Sequence, residues 1–265
     1  MAGLNPGGTK TRVLVIVPFP MSEANRRGRM AQLQAVKLVP DIEFDFRPVR
    51  AAPANYTSEH DAVLADISIV DAGRHAEADG YAAVCIDTMS DSGVNALRSM
   101  LSIPVIGPGR ASMLMALTLG ERFSILIMWE RWRPLYRRTI AELGLQYRCA
   151  SVRSIGVEPD NQSLLAGKED QVLPRLHEAA LRCIEEDGAH VILLGSTTMH
   201  QAHAYLALRL PVPVINPGPL TYKLAEAAIA LRLTQSRKAY PAPTVPKPAM
   251  IDAMLAAAQG QQQGV

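Results

Sequence analysis

The sequence has little of the features that would point to a membrane, a nucleic-acid surface or a strongly charged partner. No apolar run approaches the roughly 18 residues that a membrane-spanning helix needs. Aromatic residues make up only 5% of the chain, too few for a platform that stacks bases. The formal net charge of +2 is too small to indicate a polyanionic partner. We therefore expect neither a nucleic-acid nor a membrane partner.

Cysteine is also scarce. Cys85, Cys149 and Cys183 are odd in number and widely spaced, which favours a reducing compartment over a disulfide framework, and no pair has zinc-ligand spacing. The start of the chain lacks the apolar core of a signal peptide. A soluble, cytoplasmic protein is predicted. Hydrophobic residues make up 48% of its 265 residues, enough for a substantial buried core.

Apolar runs and helical stretches alternate along the first half. The run from Arg12 to Val17 is apolar on both faces and stops at Pro18, as expected of a parallel strand covered by helices on both sides. The alternation predicts βαβ units and a mostly parallel sheet. Strands are predicted at 12–17, 42–46, 82–86 and 104–106, and helices at 22–38, with Ser22 as N-cap, 58–78 and 92–101.

The pattern then restarts. Arg122–Ile127 resembles the opening strand, and Pro213–Gly218 resembles Pro104–Gly109 after almost the same displacement. We expect an α/β protein of two similar lobes, each with a mostly parallel sheet flanked by helices. The predicted boundaries are 10–118 plus 219–236 for the first lobe, 119–218 for the second, and 237–265 for a Pro-rich C-terminal arm and tail. That arm would wrap a neighbouring subunit or pack on its own chain. Within it we expect a short helix at 250–258 and a disordered tail at 260–265.

Two loops stand out where parallel strands end, the edge at which such sheets bind ligands. Asp87–Gly93 and Gly195–His200 are both rich in small hydroxyl side chains and occupy matching places in the two halves. Turn formation and helix capping would explain either loop alone. Their pairing across the duplication favours one small-molecule site between the lobes.

At these loops the sequence resembles the Asp/Glu/hydantoin racemase superfamily, most closely its hydantoin and allantoin racemase branch. The family's first loop typically reads Cys-Phe-x-Asp-Pro-Gly, against Thr88–Gly93 here, and its second reads Leu-Gly-Cys-Ala-Gly-Met, against Leu194–Met199. The resemblance covers nearly the whole chain. It implies two facing lobes, a small substrate that is anionic or bears a carbonyl group, and a homo-oligomer. We expect no cofactor and no metal.

The departures from the family pattern bear on the reaction. The family's racemases use one cysteine per lobe as opposed acid and base, whereas Thr88 and Ser196 stand at those positions. An alcohol is a far weaker acid than a thiol, so the two-thiol reaction is not expected. The remaining cysteines are expected in the core. The opening loop carries Pro18 and Phe19 where the family often has Asn-Pro-Asn-Thr, which predicts a different and more apolar substrate. Phe19, Trp129 and Trp132 could form an aromatic wall, with ordinary packing as the alternative.

Other side chains could replace the thiols. Asp87 is a candidate base, with helix capping as the alternative. His200 is a candidate acid, base or metal ligand, alone, with His203 on the same helix face, or as partner of a nucleophilic Ser196. Arg110 is a candidate for anion recognition. The catalytic candidates are Thr88, Ser196, Asp87 and His200, and the substrate-binding candidates are Pro18, Phe19, Met89, Ser90, Arg110, Trp129, Thr197, Thr198 and Asn216.

The first functional hypothesis is isomerase- or lyase-type chemistry at a carbon next to a carbonyl or carboxylate, through an enolate-like intermediate. Thr88 and Ser196 would donate hydrogen bonds to that intermediate, while Asp87 or His200 moves the proton. Three alternatives stay open. They are a racemase of hydantoins or amino-acid derivatives, a hydrolase using Ser196 or a metal-bound water, and a binding protein without catalysis.

Overall fold

The computed structural model describes residues 10–160, 165 and 167–262. These residues contain two four-stranded sheets with strand orders 2-1-3-4 and 6-5-7-8, and every pairing is parallel. The strands are β1 (Thr11–Val17), β2 (Ile42–Pro48), β3 (Tyr81–Ile86), β4 (Val105–Ile106), β5 (Phe123–Ile127), β6 (Cys149–Ser154), β7 (Val191–Leu194) and β8 (Val214–Ile215). The predicted α/β class and its duplication are confirmed.

Helices cover both faces of each sheet. Val13 to Val17 of β1 are fully buried, as a strand with helices on both sides requires. The α-helices are α1 (Glu23–Met30), α2 (Glu59–Gly73), α3 (Val94–Met100), α4 (Pro108–Leu119), α5 (Arg133–Glu142), α6 (Glu169–Glu185), α7 (Ala202–Ala207), α8 (Pro217–Ala230) and α9 (Pro248–Gln262). Among the described residues, none of these helices is both long enough and apolar enough to cross a membrane.

The first two helices begin where predicted and end earlier. The Ser22 and Ser58 hydroxyls accept hydrogen bonds from the amides three residues on, which caps α1 and α2. After Met30 the chain tightens into a 3₁₀ turn, and Val36 is already extended, so the predicted helix to residue 38 is too long. Pro40 disfavours helical geometry in the residue before it, consistent with this early end.

The two halves exchange a helix. α4 follows the first sheet along the chain, yet its Met113 and Ala116 share a core with Ile125 of the second sheet. α8 follows the second sheet, yet its Tyr222 and Ala225 pack on the first. α4 and α8 also contact each other. This exchange ties the two lobes together, and the lobe boundaries at 118, 119 and 218 stay a prediction.

The C-terminal arm packs on its own chain. The Arg237 guanidinium donates to the Arg98 and Ser99 carbonyl oxygens, and Arg98 donates to the Tyr240 hydroxyl. α9 lies against α2 and buries Leu255. This helix is longer than the stretch 250–258 predicted for it and continues through Gly260, which was expected in an unstructured tail. Residues 263–265 of the predicted tail lie outside the described residues.

Candidate active site

A cleft opens at the carboxyl ends of β1, β3 and β7. It encloses about 380 Å³ of space outside the protein atoms, part of it open solvent. Nine of the predicted site residues line it, and with them come residues from α1, α5 and the loop before α2. The lining residues are Pro18, Phe19, Arg29, Asn55, Tyr56, Asp87, Thr88, Met89, Ser90, Trp132, Leu135, Tyr136, Gly195, Ser196, Thr197 and Thr198.

Two pairs of hydroxyls face this cleft, one pair from each lobe. In the first loop the Thr88 and Ser90 hydroxyls lie 3.2 Å apart. In the second loop the Ser196 and Thr198 hydroxyls lie 2.8 Å apart. In each lobe the pair begins at the second residue after a central strand, with Thr88 after β3 and Ser196 after β7. The duplicated topology therefore places the two pairs in equivalent positions. The cleft therefore offers hydrogen-bond donors from both lobes.

The first loop is anchored by Asp91. This residue adopts a left-handed backbone conformation (φ 53°), and its buried carboxylate accepts hydrogen bonds from the Gly109 and Arg110 amides at 2.7 and 2.8 Å. These amides belong to the first turn of α4, whose positive end favours a carboxylate. Burial raises the pKa of Asp91, while the Arg110 amide and guanidinium oppose that shift. Arg110 is thus engaged by Asp91, and by Glu142 at 3.0 Å.

The second loop is held by close packing. A Cβ atom added to Gly195 would lie 2.5 Å from Ile127 Cγ2 and 2.8 Å from the Leu126 carbonyl oxygen, so only glycine fits. The Tyr136 hydroxyl donates to the Gly195 carbonyl oxygen. Ser196 then caps a 3₁₀ turn by accepting from the Thr198 amide at 3.1 Å. The loop therefore starts from a fixed point against β5.

Asp87, the predicted base, is engaged by a buried cation. Its carboxylate lies 3.1 Å from Nη1 of Arg29, and both side chains are 1% exposed. Gln32 donates to the other carboxylate oxygen at 3.2 Å. Burial raises the pKa of Asp87, and the Arg29 charge and the hydrogen bonds work against that rise. Asp87 reaches the cleft wall, but its carboxylate already has partners.

The two histidines lie outside the cleft lining. Burial lowers the pKa of His200 to about 4, and the Arg29 charge acts in the same direction, so the ring is neutral near pH 7. Nε2 of His203 lies 3.1 Å from the Val214 carbonyl oxygen, which occupies that nitrogen. In the described part of the chain, no group of three His, Cys, Asp or Glu side chains is arranged to hold a metal ion.

Three further candidates also lie away from the lining. Arg110 is bound to Asp91, Trp129 is half-buried and stacks under Arg131, and Asn216 is buried with its amide 3.5 Å from the His200 carbonyl oxygen. Their assignment as substrate-binding residues stays a prediction. Trp132, the other tryptophan considered for an aromatic wall, does line the cleft.

Sequence reasoning missed five residues of the lining: Arg29, Asn55, Tyr56, Leu135 and Tyr136. None of them follows a central strand directly, so the rule based on strand ends could not select them. Arg29 carried one usable signal, a basic residue inside a helix directly after the first-strand loop. Its burial follows from the tertiary arrangement alone.

All three cysteines of the sequence lie in the described residues and away from the cleft lining. Cys85 and Cys183 are buried in β3 and α6, and burial raises the pKa of both. Burial likewise raises the pKa of Cys149 to about 11. These thiols are protonated near neutral pH and play the core role that was predicted.

The fold and the cleft define a two-lobed α/β enzyme class in which a small molecule binds between facing strand ends. The chain belongs to the Asp/Glu/hydantoin racemase family, whose model matches residues 27–225. The superfamily predicted from the two loops is confirmed, and the protein is an enzyme of this family.

Relatives support this assignment along most of the chain. A hydantoin racemase from Paenarthrobacter aurescens is 29% identical over 240 residues, covering 88% of this chain and 98% of that protein. A hydantoin racemase from Rhizobium meliloti is 32% identical over 168 residues, covering 62% and 67%. The structure of allantoin racemase from Klebsiella pneumoniae aligns with a TM-score of 0.80 at 27% identity, covering 89% and 95%.

Proposed function

We propose that this enzyme forms an enolate-like intermediate at a carbon next to a carbonyl or carboxylate, and that hydroxyl groups stabilise it in place of thiols. The observation that carries the proposal is the pair of opposed hydroxyl sets, Thr88 with Ser90 and Ser196 with Thr198, lining one cleft. Preorganised donors aimed at developing negative charge supply a large part of many enzymatic rate enhancements.

The lining favours a lyase-type step over proton abstraction. Among the described residues that line the cleft there is no thiol, and the only carboxylate is Asp87, which is bound to Arg29. Loss of carbon dioxide from a carboxylate needs no base. The bond between the α-carbon and the departing carboxylate breaks, and its electron pair moves onto the neighbouring carbonyl. The hydroxyls hold the resulting oxyanion, and a proton from water or a hydroxyl then reaches the α-carbon.

The cleft also indicates the shape of the substrate. Phe19 and Tyr56 stack with ring centroids 5.0 Å apart, and Trp132 and Leu135 extend this apolar wall. The hydroxyls occupy the loops at the strand ends. A substrate with a carboxylate beside a carbonyl or second carboxylate, and with one apolar substituent, matches both sides. We propose 2-substituted malonates and similar acids as the class to examine.

A second candidate is racemisation of a hydantoin or a related amino-acid derivative. It is favoured by the relatives, among them the hydantoin racemase that aligns over 98% of its length. The weak acidity of Thr88 and Ser196 opposes a direct acid–base role for them, so this candidate needs water or another group to move the proton.

One experiment distinguishes the lyase, racemase and hydrolase functions. The enzyme is incubated in deuterated water with 2-phenylmalonate and with 5-benzylhydantoin, and the products are followed by NMR. We expect loss of carbon dioxide and entry of one deuterium at the α-carbon of the malonate product. Deuterium at the α-carbon of recovered hydantoin would instead indicate racemisation and contradict the lyase step. In a parallel incubation in ¹⁸O-labelled water, labelled oxygen in the organic product would point to a hydrolase and contradict the proposal.

Variants then test the site itself. Thr88→Val and Ser196→Ala should each lower kcat by about 100-fold, the usual loss when one oxyanion donor is removed. Thr118→Val is the matched control, since this exposed hydroxyl caps only its own helix. Unchanged turnover in both loop variants would show that the site lies elsewhere. Racemisation gained by the double variant Thr88→Cys and Ser196→Cys would show that the family geometry survives.

Two further expectations, a homo-oligomer and a cytoplasmic location, rest on the resemblance and on cysteine usage. We propose both. Light scattering of the purified protein measures the first, and fractionation of cells that express the native chain measures the second.

A further inference from the structure

We propose that Arg29 and Thr197 are positioning residues that hold the two hydroxyl loops in one geometry across the lobes. This inference rests on the proposed function. Nη1 of Arg29 donates to Oδ2 of Asp87 at 3.1 Å and to Oγ1 of Thr197 at 3.2 Å. The Thr197 hydroxyl in turn donates to the Asp87 carbonyl oxygen at 2.9 Å. We call these three residues the interlobe bridge.

The bridge joins the immediate neighbours of the two central hydroxyls. Asp87 precedes Thr88 in the first loop, and Thr197 follows Ser196 in the second. Ser196 has an extended backbone (φ −152°, ψ 145°), so the side chains of successive residues there diverge. The Ser196 hydroxyl bonds to Thr198, whereas the Thr197 hydroxyl reaches the other lobe. A shift of the bridge would therefore move Thr88 and Ser196 relative to each other.

Fold stability alone does not account for this bridge. Arg29 and Asp87 are each 1% exposed, and removing two charges from water costs about as much as their pairing returns. Apolar residues of similar volume often fill such places at no loss of stability. The directional hydrogen bonds of a guanidinium provide what apolar packing lacks, a fixed orientation of both loops.

The carboxylate that binds Arg29 has a second partner, Gln32, which packs against α8. Gln32, one turn further along, donates to Asp87, and its side-chain oxygen lies where a Cβ of Gly218 would be, at 1.8 Å. Gly218 is the second residue of α8, the helix that follows the second sheet along the chain and packs on the first. α8 thus packs against Gln32, the residue that holds the second carboxylate oxygen of Asp87.

The chemistry gives the bridge its importance. Donors on opposite loops stabilise one intermediate only when both are aimed at it, and a misplacement of about 1 Å can cost about 100-fold in rate. Each hydroxyl loop has an anchor of its own, the first at Asp91 on α4 and the second at Gly195 against β5, and neither anchor contacts the other loop directly. The bridge contacts both loops at once.

The first test needs no substrate. Hydrogen exchange measured by mass spectrometry compares the wild type with Thr197→Val, Thr197→Ser and Arg29→Met. We expect amides in 87–93 and in 195–200 to exchange about tenfold faster in the valine and methionine variants, with the serine variant close to wild type. Arg110→Met is the matched control, because it removes a buried ion pair within the first loop's own anchor and should loosen 87–93 only. If Thr197→Val leaves both loops as protected as in the wild type, the inference is wrong.

The second test uses the substrate that the wild type turns over. Thr197→Val should lower kcat by about 100-fold with KM within about twofold, and Thr197→Ser should restore most of it. The double variant Arg29→Met with Asp87→Leu should keep the urea midpoint near that of the wild type and still lose kcat. Turnover by the wild type together with unchanged kcat in Thr197→Val would overturn the positioning role. Absence of turnover in the wild type would count against the proposed function, and hydrogen exchange would still test the bridge.

Discussion

The two hydroxyl loops occupy equivalent places in the two lobes, yet the chain holds them by different means. The first depends on a charge, since the Asp91 carboxylate caps α4 and pairs with Arg110. The second depends on shape, since Gly195 leaves no room for a side chain and Tyr136 binds its carbonyl oxygen. The duplicated strands therefore determine where the site lies, and different contacts secure the two loops.

The largest effect should come from removing the charge that anchors the first loop. Asp91→Asn places an NH2 group against a backbone amide of α4 and leaves Arg110 with Glu142 alone, and it should lower the free energy of unfolding by about 3–5 kcal/mol, measured by urea denaturation. Asparagine tolerates the left-handed backbone of this position, so strain adds little. Asp79→Asn is the control, because its ion pair with Arg47 is about two-fifths exposed on both sides and should contribute less than about 1 kcal/mol. Equal losses in both variants would contradict the charge-based anchor.

The second loop should show its own dependence on pH. His200 has a folded pKa of about 4 against an ordinary 6.5, so between these values the unfolded chain binds a proton that the folded chain does not. Stability is thus present above about pH 6.5 and falls by about 3 kcal/mol as the pH drops to 4. His200→Gln should flatten that slope in urea denaturation at a series of pH values. His60→Gln is the control for the loss of an imidazole at an exposed position.

Close packing of the second loop predicts a smaller loss. Gly195→Ala forces a methyl group against Ile127 and a backbone carbonyl, and should lower the free energy of unfolding by about 2 kcal/mol. Gly28→Ala is the matched control, since nothing lies within 4 Å of its added Cβ in the middle of α1. That substitution should raise stability by about 0.5–1 kcal/mol. If Gly195→Ala leaves the free energy of unfolding unchanged, β5 can shift to accommodate the added methyl group.

The smallest effect concerns the hydrogen bond beneath Gly195. Tyr136→Phe removes one buried donor and keeps the ring, so we expect a loss of about 1 kcal/mol in the same urea measurement. Tyr147→Phe provides the comparison at a hydroxyl that is 93% exposed, and it should change nothing measurable. A loss above about 3 kcal/mol for Tyr136→Phe would show that this bond holds the second loop as strongly as the charge holds the first.

Much of the fold followed from local patterns. Apolar runs such as Arg12–Val17 could be assigned as parallel strands. A strand covered by helices on both faces is apolar at every position and does not alternate between apolar and polar residues. The serine cap of α1 was predicted at Ser22, since a cap depends on residues three apart, whereas the matching cap at Ser58 of α2 is a finding of the structure. Helix ends were less predictable, as the early close of α1 at Met30 shows, because tertiary contacts decide where the last turn stops.

The site was predictable where it depends on strand ends and not where it depends on packing. Thr88 and Ser196 follow β3 and β7 directly, and the cleft contains both. Asp87 also lines the cleft, but its ion pair with Arg29 joins residues 58 positions apart, and no local sequence pattern predicts that pair. His200 and Arg110 lie close to the loops in sequence, yet their side chains belong to other contacts.

Two levels of information are therefore distinct in this protein. The order of residues suffices for a duplicated α/β chain with hydroxyls at both central strand ends, because strand and turn preferences act over a few residues. The exchange of α4 and α8, the burial of Arg29 and the bridge to Thr197 arise only when the halves come together. They depend on contacts between residues far apart in the chain, which exist only once both cores have formed. The opposed hydroxyls become one site for that reason.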